Sequence, residues 1–263
     1  MSIADKIRNI YLEKKNLKRV LKDAGSDIDN DTLFADYPEK IDEAYKKRKF
    51  YDEDRLELIR LYYSLRPHNH AWFGSSIDII DLTPFPFDSH VNFHSYFNSS
   101  STKKIILPQQ DFIVNTLENV FNSCKQLESI ENLEYLKVDS VTTTVNCFNG
   151  CESLESLDLS TWELRYVNNV TDMFKDCISL KELDLRNVTL VNDLESKSLF
   201  ANVRNLERLR LDNCPPTTAL YLINHLYEDN YETGAVSPCV IYINQDVKDR
   251  ALALNLPFVF MIV

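Results

Sequence analysis

The sequence has few glycines and no long hydrophobic run. Only 4 of its 263 residues are glycine, which excludes a collagen-like rod. With 44% hydrophobic and 26% charged residues, the composition is that of a soluble globular protein rather than a disordered one. No apolar run approaches the roughly 18 residues of a membrane span. Positions 2–6 lack the start of a signal peptide, so we expect synthesis in the cytoplasm without ordinary secretion.

Basic residues are fewer than acidic residues. The chain has 29 Lys and Arg against 40 Asp and Glu, for a net charge of −11, and the acidic excess lies in residues 67–263. Such a surface repels phosphate backbones and anionic membranes, so we expect neither a nucleic-acid nor a membrane partner. The basic run at 46–49 is followed at once by acidic residues, which favours a solvated helix face over a nucleic-acid patch.

Residues 1–66 show helical periodicity. A 3-4 spacing of apolar residues predicts an amphipathic helix over 3–24, and a second periodic stretch ends before Pro67, so we predict a helical hairpin. The hairpin either attaches to another protein or packs on its own chain, and the spacing leaves both open. The apolar face, which is our candidate attachment helix, consists of Ile3, Ile7, Ile10, Leu17 and Leu21.

Order and spacing in residues 2–45 carry a resemblance. An Ile3-Ala-Asp-Lys6 helix, a polar linker, a Phe34-x-x-Tyr37 turn and a short helix follow one another. This arrangement resembles the N-terminal module of tail and other virion proteins from phages that infect gut Bacteroidota. The resemblance implies that residues 1–66 attach the chain to other virion proteins.

A repeat occupies the middle of the chain. Phenylalanine recurs at 26 or 27 residue intervals, each time with a small residue three positions later and leucine six positions later. Weaker copies begin at Phe97 and Phe73. Such a period predicts a solenoid in which each turn buries its apolar face against the next. The four strong frames begin at Phe121, Phe148, Phe174 and Phe200.

Six cysteines could indicate a disulfide framework, but such frameworks are typical of short secreted chains. Cys124, Cys151 and Cys177 instead occupy the same slot of three frames, where Val203 stands in the fourth. A slot that accepts valine requires a small apolar residue and not a metal ligand.

Short strands such as 157–159 and 183–185 are expected to stack from turn to turn, with alternate residues outside the core. Asp158, Asp184 and Arg210 would then form one exposed column. Ser160, Arg186 and Asp212 would form the next. We take these two columns as the candidate binding face.

The phrase Leu157-Asp-Leu-Ser-Thr-Trp162 and the following residues 167–177 resemble the repeat of the BspA-like leucine-rich-repeat family. The match extends over about residues 115–214. The resemblance implies a curved, right-handed leucine-rich solenoid that binds partners in surface adhesins and virion proteins, without catalysis. An exposed Trp162, Tyr166 or Tyr135 could contact a sugar or protein partner. For Trp162 the favoured interpretation is packing within the repeat.

Beyond residue 214 the period is lost. The pattern predicts helices over 217–227 and 246–254 and strands over 240–243 and 258–263, the last of them buried, as a cap on the final turn. The predicted fold class is therefore α+β, with a helical module at 1–66, a leucine-rich solenoid at 67–214 and an α/β cap at 215–263.

Motifs for catalysis or metal binding are incomplete. The Asp27 to Asp31 segment begins like a calcium loop but lacks its Gly and Glu, and His90 and His94 lack the accompanying Glu of a zinc helix. No nucleophile elbow, P-loop or dinucleotide motif is present. We therefore expect no catalytic residue, no metal and no cofactor.

The leading hypothesis is a non-enzymatic structural protein of a tailed phage virion, in the tail or another surface component. Residues 1–66 would attach to the particle, and the solenoid would bind neighbouring proteins or a host surface protein or glycan, in several copies per assembly. The protein would be made in the host cytoplasm. An alternative is a BspA-like adhesin on the bacterial surface, and a third class is an enzyme.

Overall fold

A computed structural model describes residues 78–83, 91–191, 195–230 and 239–263. The chain divides between Pro67 and His68, and all the described residues belong to the second part. The predicted helical hairpin with its attachment helix, the segment 27–31, the basic run 46–49 and the frame at Phe73 lie outside the described residues. Neither helix within the described ranges has the length and apolar character needed to cross a membrane.

The described residues form ten short strands and two α-helices. A short 3-10 helix, Leu133–Tyr135, follows the fourth strand. The helices are α1 (Pro216–Asn230) and α2 (Gln245–Ala253). The strands are β1 (Ile79–Asp81), β2 (Lys104–Ile106), β3 (Phe112–Ile113), β4 (Ser129–Glu131), β5 (Leu136–Lys137), β6 (Ser156–Asp158), β7 (Glu182–Asp184), β8 (Arg208–Arg210), β9 (Val240–Ile243) and β10 (Val259–Ile262).

All strand pairs are parallel. The strands form one sheet in the order β1-β2-β4, a second in the order β10-β9-β8-β7-β6 and a pair of β3 with β5. The predicted α+β class is therefore wrong, and the N-terminal helical hairpin that it included lies outside the described residues. The regular structure described is mostly parallel sheet, because successive turns contribute strands that run in the same direction, and its two helices occur after the last repeat.

Phenylalanine side chains form a stacked column through the core. Phe97, Phe121, Phe148, Phe174 and Phe200 are all buried. Consecutive rings lie 5.2 to 5.9 Å apart between centroids and are nearly parallel. The prediction that these five positions repeat the same environment is confirmed, including the weaker frame at Phe97.

The turn around each phenylalanine contains two residues with positive φ, one two positions before the ring and one two positions after it. In the Phe148 turn these are Asn146 (φ 55°) and Gly150 (φ 72°). Their N–H groups and that of Phe148 donate to the next turn, at 2.8 to 3.0 Å. Asn, Asp and Ser tolerate the left-handed region better than other non-glycine residues, so a chain with few glycines can repeat this turn.

Gly150→Ala is expected to lower the free energy of unfolding by about 1 to 2 kcal/mol, because an L-residue is strained at this φ. An added Cβ would also lie 3.4 Å from Ser123 Cα. Chemical denaturation measures the change. Gly150→Asn is the matched control, since Asn202 fills the same slot at φ 65°, and it should cost less. An alanine variant as stable as the asparagine variant would contradict this account.

The cysteine slot links adjacent turns in three of the four frames. The thiols of Cys124, Cys151 and Cys177 donate to the carbonyl of the phenylalanine one turn earlier, at 2.9, 3.2 and 3.1 Å. All three side chains are buried, as is Val203 in the fourth frame. The prediction of a small buried residue is confirmed, and the thiol additionally supplies a weak donor to a buried carbonyl.

Helix α1 covers the last phenylalanine turn. The N–H of Phe200 donates to Asp229 Oδ2 at 2.8 Å, and Asn230 Nδ2 donates to the Phe200 carbonyl at 2.9 Å. Ser196 Oγ and His225 Nε2 lie 3.0 Å apart. These contacts replace the turn-to-turn hydrogen bonds of the repeat with helix side chains.

The last strand is not buried as predicted. β10 is the edge strand of the second sheet, parallel to β9, and Val259, Met261 and Ile262 are exposed. Only Phe258, just before the strand, is buried. The prediction failed because an apolar strand at a sheet edge lacks the neighbouring strand that would cover it.

Candidate binding face

The exposed side of β6, β7, β8 and β9 is a continuous surface, which we call the ladder face. Its strands hold the buried row Leu157, Leu183, Leu209 and Ile241 in register. The residues on either side of this row point away from the core and therefore lie in two parallel rows. One row contains Asp158, Asp184, Arg210 and Tyr242, and the other contains Ser156, Glu182, Arg208 and Val240.

Charge on the ladder face changes sign along the stack. β6 and β7 contribute the carboxylates of Asp158, Glu182 and Asp184, whereas β8 contributes Arg208 and Arg210. The two signs meet where Arg208 pairs with Glu182 across neighbouring strands. A partner with the opposite order of charges would therefore match this face.

Contacts within the face orient the remaining cations. Arg210 forms an ion pair with Asp212 at 3.0 Å and lies over the Tyr242 ring, 5.7 Å from its centroid. Arg186 pairs with Asp184 at 2.8 Å, and the hydrogen bond to this carboxylate raises the pKa of the Arg186 guanidinium. The arginines are thus held by carboxylates two residues away on the same turn.

A shallow groove of about 490 Å³ runs along the ladder face. Residues from both rows line it, and the first predicted column, Asp158, Asp184 and Arg210, is among them. Polar groups from three neighbouring turns therefore converge on one surface that an extended partner could contact.

The second predicted column lies partly elsewhere. Asp212 is only 5% exposed, since it is drawn against Arg210, so it does not stand in an exposed column as expected. Ser160 lines a separate groove together with Trp162 and Asn187. Arg186 is half-buried and reaches the face through Asp184.

Sequence reasoning missed Glu182, Arg208 and Tyr242. The strands were predicted to start at the leucine, but they begin one residue earlier, for example at Ser156. Applying the period of two in both directions from Leu157 and its equivalents would have found the row that contains Glu182 and Arg208. Tyr242 follows the loss of the 26-residue period, so only the register of β8 with β9 reveals it.

A third groove lies where the strand stack is interrupted. Register partners are 25 residues apart in the first sheet (Ile105, Ile130) and 26 apart in the second (Leu157, Leu183), but Ile130 and Leu157 are 27 apart. After β4 the chain turns at Asn132 (φ 67°) into the 3-10 helix, and no strand pairing joins β4 to β6 in the described chain. A groove of about 410 Å³ lies between the two strands.

The aromatic residues considered for binding differ in exposure. Trp162 is 1% exposed and packs near Phe148, with 6.0 Å between ring centroids, so it is a repeat residue. Tyr166 is exposed, and Tyr135 is half-buried. The favoured interpretation of Trp162 as a residue packed within the repeat is therefore confirmed.

The two histidines considered and rejected as metal ligands were His90 and His94. His90 lies outside the described residues, and His94 Nδ1 lies 3.8 Å from Glu118 Oε2. Within the described ranges no group of three potential ligands is close enough to hold a metal ion.

Comparison with known proteins gives a family match. A family model described as "Mycoplasma protein of unknown function, DUF285" matches residues 91–213. The matched range contains the frames from Phe97 to Phe200 and strands β2 to β8. The search of curated proteins found no match, and neither did the search of solved structures.

Proposed function

We propose that this chain, with its repeat similar to the DUF285 family, is a non-enzymatic binding protein that contacts its partner through the ladder face. The observation that carries the proposal is the register of β6 to β9, which places charged side chains of both signs along one groove. The partner is a protein or a glycan surface with a complementary order of charges and hydroxyl groups.

The setting we propose is a tailed phage virion, with residues 1–66 as the attachment module and several copies per particle. This part rests on the resemblance of residues 2–45 to phage virion proteins, on which the family match at 91–213 does not bear. We also propose that the repeat is of the BspA-like kind, which fits a binding role on a particle. A BspA-like adhesin on the bacterial surface is the second candidate, because the same repeat serves both.

A charge swap tests the ladder face. The double variant Glu182→Arg with Arg208→Glu retains an opposite-charge pair at these positions but reverses the order of charges in one of the two rows of the face. Because both side chains are partly exposed, the fold should be unaffected. We expect binding of the labelled chain to phage particles or cells from the producing culture to weaken about tenfold or more, equivalent to at least ~1.4 kcal/mol.

The matched control is Lys125→Glu with Glu152→Lys. These two residues also form an ion pair between turns, at 2.8 Å, but neither of them lies on the ladder face. The control swap should bind like the wild type. Equal binding by both swaps, or no binding by the wild type, would count against the ladder face as the contact surface.

Immunogold electron microscopy of the producing culture tests the setting. An antibody against residues 67–263 should label particles, and the label position should separate the tail from other virion surfaces. Label on cell envelopes alone would favour the adhesin. Particles that lack the protein altogether would exclude a virion protein.

A further inference from the structure

Exposed apolar side chains concentrate at one end of the described chain. Ten large hydrophobic residues are exposed among the described residues, and six of these lie within residues 252–263. They are Leu252, Leu254, Val259, Met261, Ile262 and Val263. Single exposed apolar residues are ordinary, whereas a group of this kind marks an interaction surface.

The same end carries an open sheet edge. β10 is the last strand of the second sheet, and its outer side has no strand partner among the described residues. Val259 and Val263 direct their N–H groups inward, to the carbonyls of Cys239 and Ile243. Because backbone groups alternate along a strand, the N–H groups of Phe260 and Ile262 lie on the outer edge. This edge can therefore pair with one more strand.

We propose that a second copy of this chain occupies this edge, with β10 of the two copies paired antiparallel across a two-fold axis. The distribution of charge favours this pairing. A net charge of −11 makes copies of this chain repel each other over most of their surface, but residues 251–263 contain no charged side chain. Two copies therefore meet with least repulsion at β10.

β10 is also complementary to itself. Both sides of the strand are apolar from Val259 to Val263, so an antiparallel copy places apolar residues opposite apolar residues. Full overlap centres the axis on Met261 and puts Phe260 opposite Ile262 of the copy, as the pair that exchanges backbone hydrogen bonds. Such a contact uses the same surface twice and closes as a dimer, without forming a filament.

Sedimentation velocity of the full chain over a wide concentration range tests the proposal. The wild type should sediment with twice the monomer mass. Met261→Lys places a charge on the axis and should raise the dissociation constant about a hundredfold or more, equivalent to ~2.7 kcal/mol. Ile178→Lys is the matched control, because Ile178 is exposed to a similar degree (44% against 48%) but lies in a repeat turn, and it should remain a dimer.

A crosslink tests the register. On the axis, the two copies of position 261 form a pair without backbone hydrogen bonds, about 4.5 Å apart between Cα atoms, which is within disulfide range. The six native cysteines are buried, so Met261→Cys adds the one accessible thiol of the described chain and should form an interchain disulfide under mild oxidation. Leu252→Cys, also exposed but outside β10, should not.

Three results would overturn the proposal. The first is a wild-type chain that is monomeric at every concentration. The second is a dimer that Met261→Lys leaves intact, because another surface would then hold the copies together. The third is a monomer that binds phosphatidylcholine vesicles through Met261, which would assign the patch to lipid. None of these results depends on the ladder face, so the proposed function is tested separately.

Discussion

Replacing Phe148 with alanine is expected to lower the free energy of unfolding by about 4 kcal/mol. Phe148 is fully buried in the middle of the phenylalanine column. Its ring lies 5.2 Å from that of Phe121, 5.9 Å from that of Phe174 and 6.0 Å from that of Trp162, between centroids. Removal of the ring leaves a cavity that neighbours on both sides cannot fill, because each is fixed by its own turn.

Urea denaturation followed by far-UV circular dichroism measures this loss. Phe148→Leu retains most of the volume and should cost about 1.5 kcal/mol or less. Tyr166→Ala removes an exposed ring of similar size and should change stability by about 0.5 kcal/mol at most. A Phe148→Ala variant that loses no more than the tyrosine variant would show that the column does not support the fold.

Stability is expected to fall steeply between about pH 9 and about pH 12, because burial keeps the cysteine thiols protonated in the folded chain. Burial raises the pKa of Cys124, Cys177, Cys214 and Cys239 to about 12. It also raises the pKa of Cys147 and Cys151 well above the usual value. In the unfolded chain the thiols ionise near pH 8.5, at roughly the ordinary pKa of cysteine.

The direction of the change in stability with pH depends on whether the folded or the unfolded chain loses its thiol protons first. Above about pH 8.5 the unfolded chain binds fewer protons than the folded chain, so stability decreases as pH rises until the folded pKa is reached. Each thiol contributes up to about 1.4 kcal/mol per pH unit, and six contribute roughly 8 kcal/mol per pH unit. A domain of ordinary stability, about 5–15 kcal/mol, would therefore unfold before pH 12.

Chemical denaturation at a series of pH values tests the thiol effect. The triple variant Cys124→Val, Cys151→Val and Cys177→Val should halve the dependence of the free energy of unfolding on pH, because it removes three of the six thiols. The fold should tolerate valine here, because Val203 already fills the equivalent slot. Tyrosine and lysine ionise in both proteins, so the difference isolates the thiols. Equal slopes for the two proteins would refute the assignment. At pH 8 we also expect the native thiols to react with a thiol reagent only after unfolding.

Much of the repeat could be predicted because every turn presents the same environment to the same position. Stacked phenylalanines require a ring at each interval, so Phe121 to Phe200 are visible in the sequence as a period. The slot three positions later accepts only a small side chain, which explains Cys151 and Val203 as equivalents. Periodicity in side-chain type is a local property and needs no knowledge of contacts between turns.

The candidate face was only partly predictable. Asp158, Asp184 and Arg210 follow a leucine by one position, and the period of two places them outside the core. The burial of Asp212 could not be predicted from this period, because it depends on Arg210. The Arg210 guanidinium lies 3.0 Å from Asp212 Oδ2 and holds this carboxylate against the protein. Tyr242 joins the same row through pairing across more than thirty residues, at a point where the repeat has ended.

Amino-acid sequence by itself determined the spacing of the turns, the core residue of each turn and the residue types on the ladder face. Tertiary structure alone decided the parallel sheet order, the interruption between β4 and β6 and the exposure of β10. The physical reason is that burial at the end of a stack depends on whether a neighbouring strand is present. An apolar pattern such as 258–263 is the same whether it is covered or lies at an edge.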